Sequence, residues 1–257
     1  MFAKVKPNTQ IIGQNIIYFN QVASTNEFAL ELIKQNLAEN GTVVISEFQS
    51  RGRGQYGKSW ISEPFENLMF SIILKHVTNS SPDPFTINKI ITLAMHQQLK
   101  SELPQHKVAI KWPNDILVDG KKICGILVEN NFSGSTLKHS VIGIGLNVNQ
   151  HFEHIMHLNA TSLSGLKNAE TDREALFKNI LETIESIYFS YLKDGSESIC
   201  LDFDKALYGY GNSGAFDIDG QIVMAEVCGC DTQGQLILEI NGNETHYPHG
   251  SIKQYIA

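Results

Sequence analysis

The chain has 257 residues, with 20 Lys and Arg against 27 Asp and Glu, giving a formal net charge of −7. Hydrophobic residues make up 42% and charged residues 18%, a globular balance that excludes a disordered chain. The acidic excess argues against a general nucleic-acid or membrane-surface binder, and 20 scattered Gly with 7 Pro exclude collagen-like or linker-like sequence. No apolar stretch followed by a small-residue cleavage site opens the chain, and its longest apolar run, near 68–74, is too short for a membrane span. A cytoplasmic protein is expected.

In chain order, 16–19 reads as a strand. Ser24-Thr25-Asn26-Glu27 reads as a capped helix start, with Phe28, Leu32 and Ile33 on its apolar side. A short buried strand is expected at 42–46, a Gly-rich stretch at 49–58 and a strand at 67–75. Residues 84–103 have helical spacing through Ile87, Ile90, Ile91 and Met95. Strands follow at 108–111, 116–118 and 123–129, the last two joined by the turn signal Asp119-Gly120. A strand at 141–148 and an amphipathic helix at 171–192 complete the body.

From 209 to 257 the sequence changes to short β-segments punctuated by Gly-Asn, Asp-Gly, Gln-Gly and Asn-Gly, the pattern of a small antiparallel barrel. The expected organisation is therefore an α+β domain over 1–210 and a small β-barrel domain over 211–257. Cys228 and Cys230 lie two residues apart, and His246 and His249 follow. Their spacing lacks a zinc pattern, so they read as small apolar residues sharing one strand face. His151, His154 and His157 read as a solvated loop.

Residues 52–59 match the phosphate-loop expression G-x-x-x-x-G-K-[ST] letter for letter. That mechanism needs a helix immediately after Lys58-Ser59. Pro64 and the strand pattern beyond it argue against one, so the match reads as accidental. The loop is nonetheless suited to anions: Arg51, Arg53 and Lys58 sit among glycines that free backbone amides to point inward.

Lys111-Trp112-Pro113-Asn114-Asp115 is a second unusual segment, followed by Lys122 and Gly125-Ile126-Leu127-Val128-Glu129. With the Gly-rich loop, these residues resemble the biotin–protein ligases along nearly the whole chain. Ser24-Thr25-Asn26 is similar to the family's opening Ser-Thr-Asn, and 49–60 to its Gly-Arg-Gly loop with a closing Trp. Lys111 to Asp115 is similar to its Lys-Trp-Pro-Asn-Asp signature, the most specific motif. Gly143-Ile144-Gly145-Leu146-Asn147 and Ala160-Thr161-Ser162-Leu163 are similar to later family motifs. The loop departs from the family at Gln55 and Tyr56, where Arg is common. Only 23 residues precede Ser24, so a ligase without a DNA-binding repressor domain is expected.

The resemblance implies a catalytic domain like that of class II aminoacyl-tRNA synthetases, followed by a Src-homology-3-like barrel. It also implies two steps. Biotin's carboxylate attacks the α-phosphorus of ATP, supplied with Mg2+, and a lysine of a biotin carboxyl carrier domain then attacks biotinyl-5′-AMP. Arg53, Lys122 and Asp115 are implied as catalytic residues, Asp115 either handling the incoming amine or holding ATP or its metal. Ser24, Thr25, Asn26, Gln49, Gly52, Arg53 and Gly125 are implied at biotin. Arg53, Gly54, Gln55, Lys58, Trp60, Asn114, Asp115, Lys122 and Asn147 are implied at ATP or the adenylate. No metal ligand is assigned, and neither a nucleic acid nor a membrane is an expected partner. The expected state is a monomer or weak homodimer. A lipoate or octanoate ligase, a silent biotin binder and a phosphate-loop module are the alternatives. Read without the resemblance, Ser24 and Thr25 are helix-capping residues and both tryptophans are core residues.

Overall fold

The computed structural model describes residues 2–76, 83–134, 136–152 and 158–256, so His154 and His157 lie outside the described residues. Seven strands build the main sheet: β1 (Ile16–Phe19), β2 (Val43–Ser46), β3 (Leu68–Lys75), β4 (Val108–Lys111), β5 (Asp115–Val118), β6 (Lys121–Ser133) and β7 (Thr136–Leu146). Their spatial order is β1-β2-β3-β7-β6-β5-β4. Only β1 and β2 run parallel; the other pairs are antiparallel. Around the sheet lie α1 (Thr25–Lys34), α2 (Pro84–Glu102), α3 (Leu163–Lys167), α4 (Arg173–Asp194) and α5 (Glu197–Ala206).

Strand alternation decides what each face does. Phe70, Ile72 and Leu74 of β3, Ile142, Ile144 and Leu146 of β7, and Cys124 and Ile126 of β6 point to one face. There they join α2 and α4 in the main core. The intervening residues face the other way. At one end of that second face, Ile73 and Val141 pack with Ala29 of α1. Towards the middle the same alternation presents Ser71, Leu127, Gly143, Gly125 and Gly145. Side chains become small there, and this is what leaves room for a site.

The second sheet comprises β8 (Ser213–Ile218), β9 (Gln221–Cys230), β10 (Leu236–Ile240), β11 (Asn243–Tyr247) and β12 (Ile252–Gln254). It is antiparallel, in the order β11-β10-β9-β8-β12. It is fastened to the main body at several points. Trp112 Nε1 donates to Gly234 O at 3.0 Å and buried Lys89 Nζ to Cys230 O at 2.9 Å, and in the segment leading into the sheet Tyr208 N donates to Ile110 O at 2.7 Å.

Several expectations are corrected. Cys228 and Cys230 do not share a face: the ladder shifts register between Ile237 and Leu238, leaving Cys228 as the extra residue of a β-bulge. Cys230 is buried, and Cys228 is half-buried beside Glu226. The expected strand at 123–129 runs further in both directions, and the one at 141–148 begins earlier and ends at Leu146, because β6 and β7 form one long hairpin. Helices α3 and α5 were not expected. Alpha5 is short, yet buries Ile199 and Phe203, lying between α2, where Phe203 stands edge-on to Phe85, and β9 of the second sheet. Among the described residues, no helix is long and apolar enough to cross a membrane, and no cluster of three His, Cys, Asp or Glu could hold a metal ion.

His96 ties α2 to β4, its Nε2 donating to Val108 O at 3.2 Å while its buried Nδ1 has no partner. Burial lowers its pKa, the bond to Val108 opposes that, and Lys100 adds to the lowering. The unfolded imidazole takes up a proton near pH 6.5, which the folded one refuses until lower pH. Stability should therefore fall as pH drops from about 6.5 through the folded pKa. Urea unfolding at pH 8 and pH 5.5 measures the loss, and His96→Gln should reduce it; an unchanged loss would assign it elsewhere.

Candidate active site

The floor of the main cavity is the glycine patch. Gly125 pairs with Gly145, and Leu127 with Gly143, across β6 and β7. A Cβ on Gly143 would collide with Asn26 Oδ1, and one on Gly145 would sit 2.5 Å from Trp60 Cε2. One on Gly125 would lie 3.1 Å from both Lys122 Nζ and Trp60 Cζ3. Three absent side chains therefore admit an amide, an indole and a lysine over the sheet. The cavity measures about 540 Å³, within the range of small-molecule sites.

One end is neutral and polar. Ser24 caps α1, accepting from Glu27 N at 3.5 Å, and also lines the cavity. The capping and ligand-facing readings thus coexist. Gln49 Oε1 accepts from Thr25 N at 2.8 Å and from Thr25 Oγ1 at 3.2 Å. Beneath them, buried Ser71 Oγ lies 2.7 Å from Thr25 Oγ1 and donates to Asn26 Oδ1 at 2.5 Å. Asn26 Nδ2 in turn donates to Glu129 Oε2 at 2.7 Å. The hydroxyls and amides are held by one another and need no rearrangement to present themselves.

The other end is cationic. Lys58, Lys111, Lys122 and Lys253 all line it, with Asp115 as the carboxylate among them. Lys122 Nζ and Asp115 Oδ1 are 2.7 Å apart. Burial lowers the Lys111 pKa; Asp115 raises it, while Lys122, Lys58 and Lys253 each push it down further. Lys111 therefore feels the other three amines, a crowding that an anionic ligand would relieve. Arg53 reaches the boundary between the two ends, where its Nη2 is 2.9 Å from Glu129 Oε2 and its Nε 3.7 Å from Glu27 Oε1. Trp60 Nε1 is buried without a partner.

Thus Ser24, Thr25, Asn26, Gln49, Arg53, Gly54, Gln55, Lys58, Trp60, Asn114, Asp115, Lys122 and Gly125 come together around one cavity. Gly52 and Asn147 do not line it. A Cβ on Gly52 would sit 2.8 Å from Trp60 O, so this glycine lets the loop fold on itself. Asn147 is buried and donates to Thr161 O at 3.0 Å, pinning the segment before α3. No helix follows Ser59, so the phosphate-loop match is indeed accidental. Sequence reasoning missed the far wall, to which the second sheet contributes Leu236, His249, Gly250, Ile252, Lys253 and Gln254. Nothing local marks them: 248–254 reads as turn and strand end.

A sequence profile of the biotin/lipoate A/B protein ligase family matches residues 18–147, which include the neutral end of this cavity and Lys58, Lys111 and Lys122 of the cationic one. The chain belongs to that family. It is 33% identical over 237 residues to the bifunctional ligase/repressor BirA of Bacillus subtilis, covering 91% of this chain and 72% of that one. It is 26% identical to the biotin–[acetyl-CoA-carboxylase] ligase of Mycobacterium tuberculosis, covering 90% and 86%. In fold it is similar to the biotin protein ligase from Aquifex aeolicus, solved in complex with biotin and ATP. The TM-score is 0.77 at 21% identity, over 95% of this chain and all of that one. Membership of the biotin/lipoate ligase family agrees with the mixed α+β body and the separate antiparallel sheet.

The floor can be tested directly. Gly145→Ala should push the Trp60 ring off the sheet. Acrylamide quenching in a Trp112→Phe background, where Trp60 is the sole tryptophan, should then increase. A quenching curve matching the Gly145 parent would show that the ring has room to spare.

Proposed function

We propose that this ligase-family chain is a biotin–protein ligase, activating biotin with ATP to biotinyl-5′-AMP and transferring it to a lysine of a biotin carboxyl carrier domain. The observation that carries this reading is one cavity joining a neutral hydrogen-bonding end to an end lined by lysines. Ser24, Thr25 and Gln49 suit the ureido ring, which is uncharged and both donates and accepts. The acyl chain runs over the glycine floor beside Trp60. Its carboxylate then arrives at Arg53, at the edge of the cationic end.

Both partners in the first step are anionic, so the barrier is largely electrostatic. The carboxylate oxygen bonds to the α-phosphorus, the bond to the β-phosphate bridging oxygen breaks, and pyrophosphate leaves. In this reading Arg53 and Lys122 neutralise the α-phosphate, and Lys58, Lys111 and Lys253 receive the departing phosphates. Magnesium enters as part of the ATP substrate. In the second step the carrier lysine first passes a proton to Asp115 or water; its neutral nitrogen then bonds to the acyl carbon, the bond from that carbon to the phosphate oxygen breaks, AMP leaves, and the nitrogen sheds its remaining extra proton to solvent. Asp115 keeps Lys122 in place and offers its second oxygen to the incoming ammonium. The acidic net charge supports a protein rather than a nucleic-acid partner, and in this reading the enzyme works in the cytoplasm, where carrier domains would meet it.

Pyrophosphate–ATP isotope exchange tests the first step. Exchange should appear with biotin and be absent with lipoate or with no acid. Exchange with lipoate alone would move the chain to lipoate ligation, and exchange with neither would overturn acyl activation. Lys122→Ala should slow exchange by about a hundredfold or more without changing Tm. Wild-type exchange in that variant would remove Lys122 from the chemistry.

A further inference from the structure

We propose that Tyr56 and His249 are a positioning pair holding the Gly-rich loop over the activated acyl group; the inference rests on the ligase reading above. Tyr56 sits on the loop with φ 53° and ψ 38°, a left-handed conformation uncommon for a bulky residue. The residue is 69% exposed, so core packing does not hold it there. Instead its hydroxyl oxygen lies 2.9 Å from His249 Nδ1 and 3.1 Å from His249 O, with the two rings 5.0 Å apart. One hydroxyl hydrogen cannot serve two acceptors. Both contacts are satisfied when the hydroxyl donates to the carbonyl and Nδ1–H donates to the hydroxyl. Gly250 makes the approach possible: a Cβ there would lie 3.1 Å from the Tyr56 oxygen.

The anchor is fixed on its far side. His249 stands edge-on to Trp112, with ring centroids 5.2 Å apart at 86°, and Trp112 is itself bonded to Gly234 O. The loop's charged ties elsewhere run through Arg53 to Glu129 and Glu27, and through Arg51 to Glu27 at 3.5 Å, while main-chain bonds from Ser50 and Arg51 hold only its start. Arg53 is the cation that the ligand's own anions would draw away from those carboxylates. The Tyr56–His249 tie uses no group that the chemistry needs. It can therefore persist through both steps, keeping Lys58 over the phosphates and water away from the mixed anhydride.

The test follows enzyme-bound adenylate. Radiolabelled biotinyl-adenylate is formed on the full-length protein and isolated by rapid gel filtration, and its loss as free biotin is timed without carrier. Tyr56→Phe keeps the ring and removes both bonds, whereas His249→Phe removes the bond at Nδ1 and leaves the one to the 249 carbonyl. Each should shorten the adenylate's half-life at least about fivefold, the worth of an ordinary hydrogen bond. The double variant should lose it no faster than Tyr56→Phe alone, because that substitution already removes both bonds of the pair. Bound adenylate should also protect the loop from trypsin less in each variant than in the wild type, a readout that general destabilisation, checked by Tm, would not imitate. Half-lives within twofold of the wild type, or effects that multiply in the double variant, would overturn the pair alone. If the wild-type protein forms no adenylate, the ligase reading falls and the pair falls with it.

Discussion

The site depends on side chains that are missing from one face of the sheet. Along β6 and β7, alternation sends every second residue to the face opposite the core, and at 125, 143 and 145 that residue is glycine. An apolar side chain at any of these positions would fill the hollow. With none there, Asn26, Trp60 and Lys122 come down onto the backbone, and their placement sets the depth and the polarity gradient of the cavity. The opposite face of the same strands is continuously apolar against α2 and α4, so the hollow does not cost the sheet its support. One pattern of alternation thus makes both the core and the site.

Charge is distributed with the same economy. The chain carries seven more acidic than basic groups, yet four lysines converge on one end of a single cavity. Such crowding is unfavourable by itself, as the downward push on Lys111 by its neighbours records. It is moderated by Asp115 against Lys122 and by Glu129 against Arg53. These carboxylates are partners that a polyphosphate can replace, since exchanging one anion for another leaves each cation paired. The cations are thus paired before a polyphosphate arrives and gathered where it would meet them.

Legibility in the sequence followed chemical locality. Residues whose role is set by their neighbours in the chain could be read: the cap at Ser24, the Asp119-Gly120 turn, and the lack of a helix after Ser59. Cavity residues in the two dense segments, 49–60 and 111–125, came within reach through their resemblance to the family's motifs, since neither segment alone assigns a role to its residues. What could not be read depends on contacts across long separations. His249 and Lys253 reach the cavity from the second sheet, and nothing between 248 and 254 signals it. Cys228 left the face of Cys230 because the partner strand β10 forces a bulge. Asn147 ends its strand next to the site, but it is spent on Thr161, a bond visible only once the 160s loop is in place.

Because two sheets share the cavity, the seam between them has to be stiff. Lys89 supplies much of that stiffness. Only 2% exposed, it donates to Cys230 O at 2.9 Å and Asp231 O at 3.3 Å, with the rings of Phe85 and Phe203 under 6 Å away. Asp204 lies beside it, raised in pKa by burial, with Lys89 and the Cys230 N–H pulling it back down. Gly229 brings the backbone against Asp204, and Gly234 brings it against Phe85, where a Cβ would collide with the ring. A buried amine bonded to main-chain oxygens cannot slide without leaving those oxygens bare, which costs far more than shifting an apolar contact. The seam therefore resists displacement in a way that a purely hydrophobic one would not. That resistance keeps His249 and Lys253 at a fixed distance from residues more than a hundred positions earlier in the chain.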